Sequence, residues 1–173
     1  MTQPSIVTEE VQIWTNDDGV IHRVDGPAIV YADGTCVWME DGVRHRFNGP
    51  AITRPDGSYD YYFHGKRHNP LGPALYRPTG KVMYFLHGKL HNPIGPAVYR
   101  ADGTIEYWID GVLHNPNGPA IVRPSGRKEY YWYGLRHKMT GPAITRPYKH
   151  DIWCFEGQMI LPDEIQAVFG VTV

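Results

Sequence analysis

Residues 49–71 read Gly49-Pro50-Ala51-Ile52-Thr53-Arg54-Pro55-Asp56-Gly57-Ser58-Tyr59-Asp60-Tyr61-Tyr62-Phe63-His64-Gly65-Lys66-Arg67-His68-Asn69-Pro70-Leu71, and this unit decides the fold. An apolar run, Ala51 to Arg54, precedes Pro55-Asp56-Gly57, and an aromatic run, Tyr59 to Phe63, follows it. Asp-Gly between two such runs predicts a tight β-hairpin, because the turn needs a positive φ that glycine tolerates. The segment from Gly65 to Pro73 carries Gly, Asn and Pro and reads as a longer connection to the next hairpin.

The unit recurs six times. Gly-Pro-Ala begins at Gly26, Gly49, Gly72, Gly95, Gly118 and Gly141, each step being 23 residues. A histidine stands four residues ahead of each, at His22, His45, His68, His91, His114 and His137. Aromatics recur at Trp38, Tyr61, Tyr84, Tyr107, Tyr130 and Trp153. A further glycine row, from Gly34 to Gly126, ends where Lys149 takes the sixth place. Repetition at a fixed short period is the signature of an array whose units support one another.

With Asp56-Gly57 as a two-residue turn, Ile52 faces Tyr61 and Arg54 faces Tyr59, all four on one face. The expected core is then an aliphatic row (Ile29, Ile52, Leu75, Val98, Ile121, Ile144) beside the aromatic row. Tyr62, Phe85, Trp108 and Tyr131 point to the opposite face, as a second packing layer or an interaction surface. The fold class that follows is all-β: an elongated antiparallel β-meander of six hairpin repeats and about twelve strands, roughly 55–60 Å long at ~4.8 Å per strand.

The ends depart from the pattern, as array caps do. Residues 1–18 read as an N-terminal cap strand, 19–156 as the repeats, and 157–173 as a C-terminal cap. Trp14 sits one place out of register with Trp38. Residues 162–169 predict a short helix that seals the last hairpin, with Pro162 in its first turn, Asp163 and Glu164 suited to the dipole, Ile165, Val168 and Phe169 at helical spacing, and Gly170 as the stop. An open meander leaves edge strands, and Ile6–Trp14 lacks proline, so this stretch is the expected site of homodimer pairing.

Composition bounds the function. A formal net charge of −1 supplies no global field toward nucleic acid or an anionic membrane, so neither is an expected partner. Cys36 and Cys154 fall in the first and last repeats, too far apart in an array for a disulfide, and Met1 to Thr8 has no signal-peptide pattern. No run reaches the ~18 apolar residues of a membrane span, and the expectation is a cytoplasmic protein.

The unit resembles the MORN repeat, a glycine-rich hairpin with an aromatic–glycine–histidine–glycine pattern, matched here by Tyr107, Gly111, His114, Gly118 and the Gly126 turn. The likeness covers residues 19–156; His114-Asn115-Pro116-Asn117-Gly118-Pro119-Ala120 stands where the family has a closer His-Gly-x-Gly. The Gly-Pro-Ala variant resembles repeats of bacteriophage and large-virus proteins. The family resemblance implies scaffolding and homodimerisation, and sometimes lipid contact, without a conserved catalytic residue. The viral resemblance implies a host protein as partner, such as a defence component being inhibited.

The rows are the candidate sites. Histidines about 10 Å apart cannot share a zinc ion that wants ligands near 2.0–2.1 Å, so no metal or other cofactor is expected, and each histidine is read as bonding a turn carbonyl. Arg54, Arg77, Arg100, Arg123 and Arg146 form a basic row, read as stacking on neighbouring tyrosines or meeting an acidic partner. With Tyr62, Phe85, Trp108 and Tyr131 they are the candidate binding residues. No serine lies in a G-x-S-x-G elbow and no phosphate loop is present, so catalytic residues are not expected. The one pair that would merit a catalytic test is His150-Asp151, where the sixth turn is irregular. The expected function is therefore a non-enzymatic protein-binding scaffold. The alternative is sequestration of a small anionic ligand, such as a nucleotide, in pockets between chains.

Overall fold

The computed structural model of the chain describes residues 3–170; residues 1–2 and 171–173, the outer ends of the two expected caps, lie outside the described residues. The fold is all-β apart from one helix, and thirteen strands form a single open antiparallel sheet in sequence order. Six further hairpins each make a two-stranded sheet of their own. The chain divides into two compact units, Met1–Lys89 and Leu90–Val173.

Each of the first five repeats contains four short strands where the sequence predicts two, and the sixth contains three, Ile144–Thr145, Trp153–Phe155 and Gln158–Ile160. In the first unit, Ile52–Thr53 and Tyr59–Asp60 belong to the long sheet, while Tyr62–Phe63 and Lys66–Arg67 form a separate hairpin. The break falls at Tyr61. Its N–H donates to Ala74 O at 2.8 Å, within the sheet, but its carbonyl accepts from His68 N at 3.3 Å, within the hairpin. Tyr107 and Tyr130 in the second unit switch partners in the same way. The aromatic row is thus the hinge between sheet and hairpin.

The long-sheet turn also differs from the expected one. Ile52 pairs with Asp60 and Thr53 with Tyr59, one residue away from the predicted register. Arg54 N–H donates to Ser58 O, Gly57 N–H donates to Arg54 O, and only Gly57 of Pro55-Asp56-Gly57 has positive φ, at 82°. This is a three-residue loop ending in a glycine bulge. A two-residue turn would have required an N–H from Pro55, which proline lacks. The paired positive φ of a two-residue hairpin turn occurs instead at His64 (44°) and Gly65 (75°), and again at Asp110 (50°) and Gly111 (85°). The segment expected as a long connection therefore begins as a hairpin arm.

The register sets the core. Of the aliphatic row, Ile52, Leu75, Val98, Ile121 and Ile144 are buried and Ile29 is half-buried, and the alanine of every Gly-Pro-Ala is fully buried. What faces the aliphatic row is not the aromatic row but Val37, Asp60 and Met83 in the first unit and Glu106 and Glu129 in the second. Three carboxylates accordingly lie inside.

At the N-terminal end Trp14 N–H donates to Ala28 O and Trp14 O accepts from His22 N, which places Trp14 at the head of the aromatic row. The extra residue that puts it out of step is absorbed by a wider turn, Asn16 N–H to Val20 O. Val11–Ile13 pairs with Ile29–Tyr31 on one side and Ile6–Val7 on the other, so the sheet edge is the two-residue strand Ile6–Val7. At the other end the helix spans Pro162–Phe169, as predicted. Leu161 N–H donates to Glu164 Oε2 and Glu164 N–H to Leu161 O, closing its first turn. Ile165 is buried and Val168 exposed. The side-chain expectations for Pro162, Asp163 and Phe169 lie outside the described residues. Among the described residues no helix is long and apolar enough to cross a membrane. Both cysteines are free thiols, and burial pushes the Cys154 thiol upward.

Candidate functional site

The arginine row does not stack on the tyrosines expected of it. It turns inward to the carboxylates. Asp60, wholly buried, receives Arg54 Nη1 at 2.8 Å, Arg77 Nη2 at 2.7 Å and Arg67 Nη2 at 3.2 Å. Burial pushes the Asp60 carboxyl up, but the bonds from Arg54 and Arg77 and the fields of Arg77 and Arg67 outweigh it and hold it below the usual range. Arg77 also donates through Nη1 to Tyr59 O and Tyr76 O. In the second unit Arg100 Nε meets Glu106 at 2.6 Å, and Arg123 Nη2 meets Glu129 at 3.0 Å. Arg127 and Arg136 flank Glu129 as well. Arg146 stands apart, its guanidinium on His150 O and its N–H on Asp151 Oδ1.

Tyr62, Phe85, Trp108 and Tyr131 converge on these clusters instead of pointing away from them. The Arg67 guanidinium sits 5.4 Å from the Tyr62 ring and 5.7 Å from the Phe85 ring. Trp108 Nε1 donates to Glu106 Oε2 at 2.9 Å, and the Tyr131 hydroxyl donates to Glu129 Oε2 at 3.3 Å. The arginine row and this aromatic row are one assembly around the acids. Sequence reasoning overlooked those acids. The available signal was an acidic residue directly before the hinge aromatic, at Asp60, Glu106 and Glu129.

Each histidine accepts an N–H from the next repeat's turn and does not bond a turn carbonyl. His45 Nδ1 accepts from His64 N at 3.0 Å, His68 from His87 at 3.0 Å and His114 from Tyr133 at 3.2 Å. The turn residue then lays its ring on the histidine, at 4.3 Å for His64 on His45 and 4.2 Å for Tyr133 on His114. Burial, joined at His68 by the nearby His87, lowers the pKa of His68 and His114, which favours the unprotonated acceptor. At Asp41 and Asp110 a carboxylate oxygen also lies 3.0 Å from the histidine Nδ1. Among the described residues no group of three or more His, Cys, Asp or Glu could hold a metal ion.

Five of the six loops that lead into Gly-Pro-Ala, all but Asn115–Gly118, hold a feature the sequence did not reveal. Their tips carry apolar side chains almost wholly in solvent: Val24 and Phe47 at 82% and Leu71 at 96% in the first unit, Ile94 at 95% and Met139 at 74% in the second. The backbone beneath the first four is held by a side chain. Asn69 Nδ2 donates to Pro73 O while Asn69 Oδ1 accepts from Leu71 N, and Asn92 does the same with Pro96 and Ile94. Arg23 and Arg46 reach the equivalent proline carbonyls from above the rings of Trp14 and Trp38. Between successive loops lie slots floored by the hinge aromatics. One of about 520 Å³ runs between Pro116 and Met139 over Tyr130, and another of about 320 Å³ lies between Ile94 and Pro116 over Tyr107. In the first unit a slot of about 290 Å³ opens between Val24 and Phe47 beside Trp38.

No protein-family model matches the chain, and no curated protein matches it.

Proposed function

We propose that the chain is a non-enzymatic protein-binding array that grips an extended segment of its partner along the loop edge of the repeats. The observation that carries this reading is the exposed apolar side chain on a side-chain-locked loop, present at Leu71 in one unit and Ile94 in the other. Solvent-exposed aliphatic groups held on rigid backbone lose little conformational entropy when they are covered, and that favours association. Slots over aromatic floors add pockets of the kind in which interface anchors sit.

Spacing supports an extended ligand. Equivalent residues of successive repeats are two strands apart, about 9.6 Å at ~4.8 Å per strand. An extended or polyproline-type chain advances ~3.1–3.4 Å per residue, so about every third partner residue would meet a slot. On the viral resemblance, the partner is a host protein.

The loop tips offer a cleaner test than the arginines. Charge reversal at Arg77 or Arg123 would put a second anion beside buried Asp60 or Glu129 and disturb the fold. Leu71→Asp and Ile94→Asp alter only exposed side chains. Wild-type protein used as bait in a lysate of its native context should retain a partner protein that the double variant loses. Equal capture by both would overturn the reading.

A further inference from the structure

The carboxylate clusters are unequal in charge, and the inequality points to a ligand. Asp60 faces three guanidiniums, those of Arg54, Arg67 and Arg77, and Glu129 faces those of Arg123, Arg127 and Arg136. Each cluster of three cations and one anion therefore carries a local charge of +2. Glu106 pairs with Arg100 and takes its second bond from neutral Trp108, so that cluster balances at zero. A turn acid offsets part of each surplus, Asp56 lying in the fields of Arg54 and Arg77 and Asp102 in that of Arg123, and each cluster remains net cationic.

Donors are in surplus as well. A guanidinium has five N–H groups, so three bring about fifteen to a carboxylate with roughly four lone-pair sites. One Nε in each surplus cluster is left buried without an acceptor. Arg67 Nε has none, and Arg127 Nε lies 3.1 Å from Glu129 Oε1 but is angled away from a hydrogen bond. The guanidiniums are nonetheless reachable: side chains of the Asp60 cluster are 25–35% exposed and those of the Glu129 cluster 36–46%. The buried acid gathers the three arginines around it, and part of each side chain stays exposed.

We propose that the Asp60 and Glu129 clusters are two anion-binding sites, one in each unit, each taking a phosphate-type dianion across the outer edges of its guanidiniums. An anion of this class is drawn by the net positive charge of each cluster and accepts from the exposed guanidinium N–H groups through planar, charge-assisted bonds that suit arginine. Free phosphate and a phosphate monoester share this chemistry. They differ in whether an organic group can also lie on the neighbouring rings, Tyr62 and Phe85 at one site and Tyr131 at the other. The proposal is independent of partner binding at the loop edge.

The test is calorimetric titration of the full chain with inorganic phosphate, and separately with phenyl phosphate, at constant ionic strength. Wild type should bind two equivalents. Arg67→Gln should lose one, Arg136→Gln the other, and the double variant both, while Arg100→Gln should keep two. Arg54→Gln and Arg127→Gln repeat the test if either first variant loses its wild-type circular dichroism. Tighter binding of phenyl phosphate, by about tenfold or more, would assign the sites to monoesters; equal binding would assign them to the phosphate group alone. No binding by wild type up to about 10 mM ligand, well above a millimolar Kd, would overturn the proposal. So would an unchanged stoichiometry in the folded double variant.

Discussion

Replacing Asp60 with asparagine keeps the shape of the side chain and removes the charge that three arginines share. The carboxylate is wholly buried and accepts from Arg54, Arg67 and Arg77 at 2.7–3.2 Å. Hydrogen bonds to charged groups are worth about 1.5–3 kcal/mol each, but these arginines are about one-third exposed and regain hydration when released. Counting roughly 1 kcal/mol for each gives a loss of about 3 kcal/mol, the lower end of what breaking a buried ion pair costs. For a chain of this size that loss lowers Tm by about 6–12 °C. Urea unfolding followed by tryptophan fluorescence would measure it. The repeats themselves supply a control. The positions of Asp60 and Arg67 are held by Met83 and Leu90 one repeat later. The double variant Asp60→Met/Arg67→Leu should therefore be at least about 1 kcal/mol more stable than Asp60→Met alone, because an apolar pair can replace a buried ionic one. A loss below about 0.5 kcal/mol for Asp60→Asn, the size of an ordinary surface change, would refute the reasoning. So would a double variant no better than Asp60→Met.

Two further predictions concern the turns. His68 and His114 have folded pKa values held below the ordinary histidine value, so near that value the folded state binds fewer protons than the unfolded one. Their contribution is complete above about pH 6.5 and is lost as pH falls toward the folded pKa. Tm should therefore drop between about pH 7.5 and pH 5.5, and His68→Gln/His114→Gln should reduce that drop; an undiminished drop would dissociate it from these residues. Gly57 and Gly126 share φ near 82° and 81°, but a Cβ at Gly57 meets nothing within 4 Å whereas one at Gly126 would lie 2.8 Å from Pro147 Cγ. Chemical denaturation should show Gly57→Ala costing about 1 kcal/mol in backbone strain and Gly126→Ala about 1–2 kcal/mol more; equal costs would contradict the assigned contact.

The repeat, the aliphatic core row and the helix at Pro162–Phe169 were legible in the sequence because each depends on local pattern. The register was not. Asp-Gly suits two hairpin turns that differ by one residue, and that slip exchanges Tyr61 for Asp60 opposite Ile52. The deciding fact, that Pro55 has no N–H to give, was present in the sequence and outweighs the dipeptide preference. The second hairpin was hidden where His64, His87 and Tyr133 occupy a positive-φ position that favours Asn, Asp or Gly, whereas Asp41-Gly42 and Asp110-Gly111 carried the hairpin signal in the sequence. Both errors displaced the arginines: with Asp60 misplaced, their partners could only be sought among tyrosines. The loop tips escaped notice because one aliphatic residue among Asn, Pro and Gly has no periodicity to read.

The link from each histidine to an amide nineteen residues further along has a direction. A ring already in place receives a turn that has yet to be made, never the reverse. During synthesis, which delivers the N-terminal part first, every newly emerged turn finds its acceptor waiting on finished structure. His137 is matched by Glu156, in the turn of the hairpin Trp153–Phe155 and Gln158–Ile160. That hairpin brings no histidine of its own for a successor, so growth of the ladder closes there.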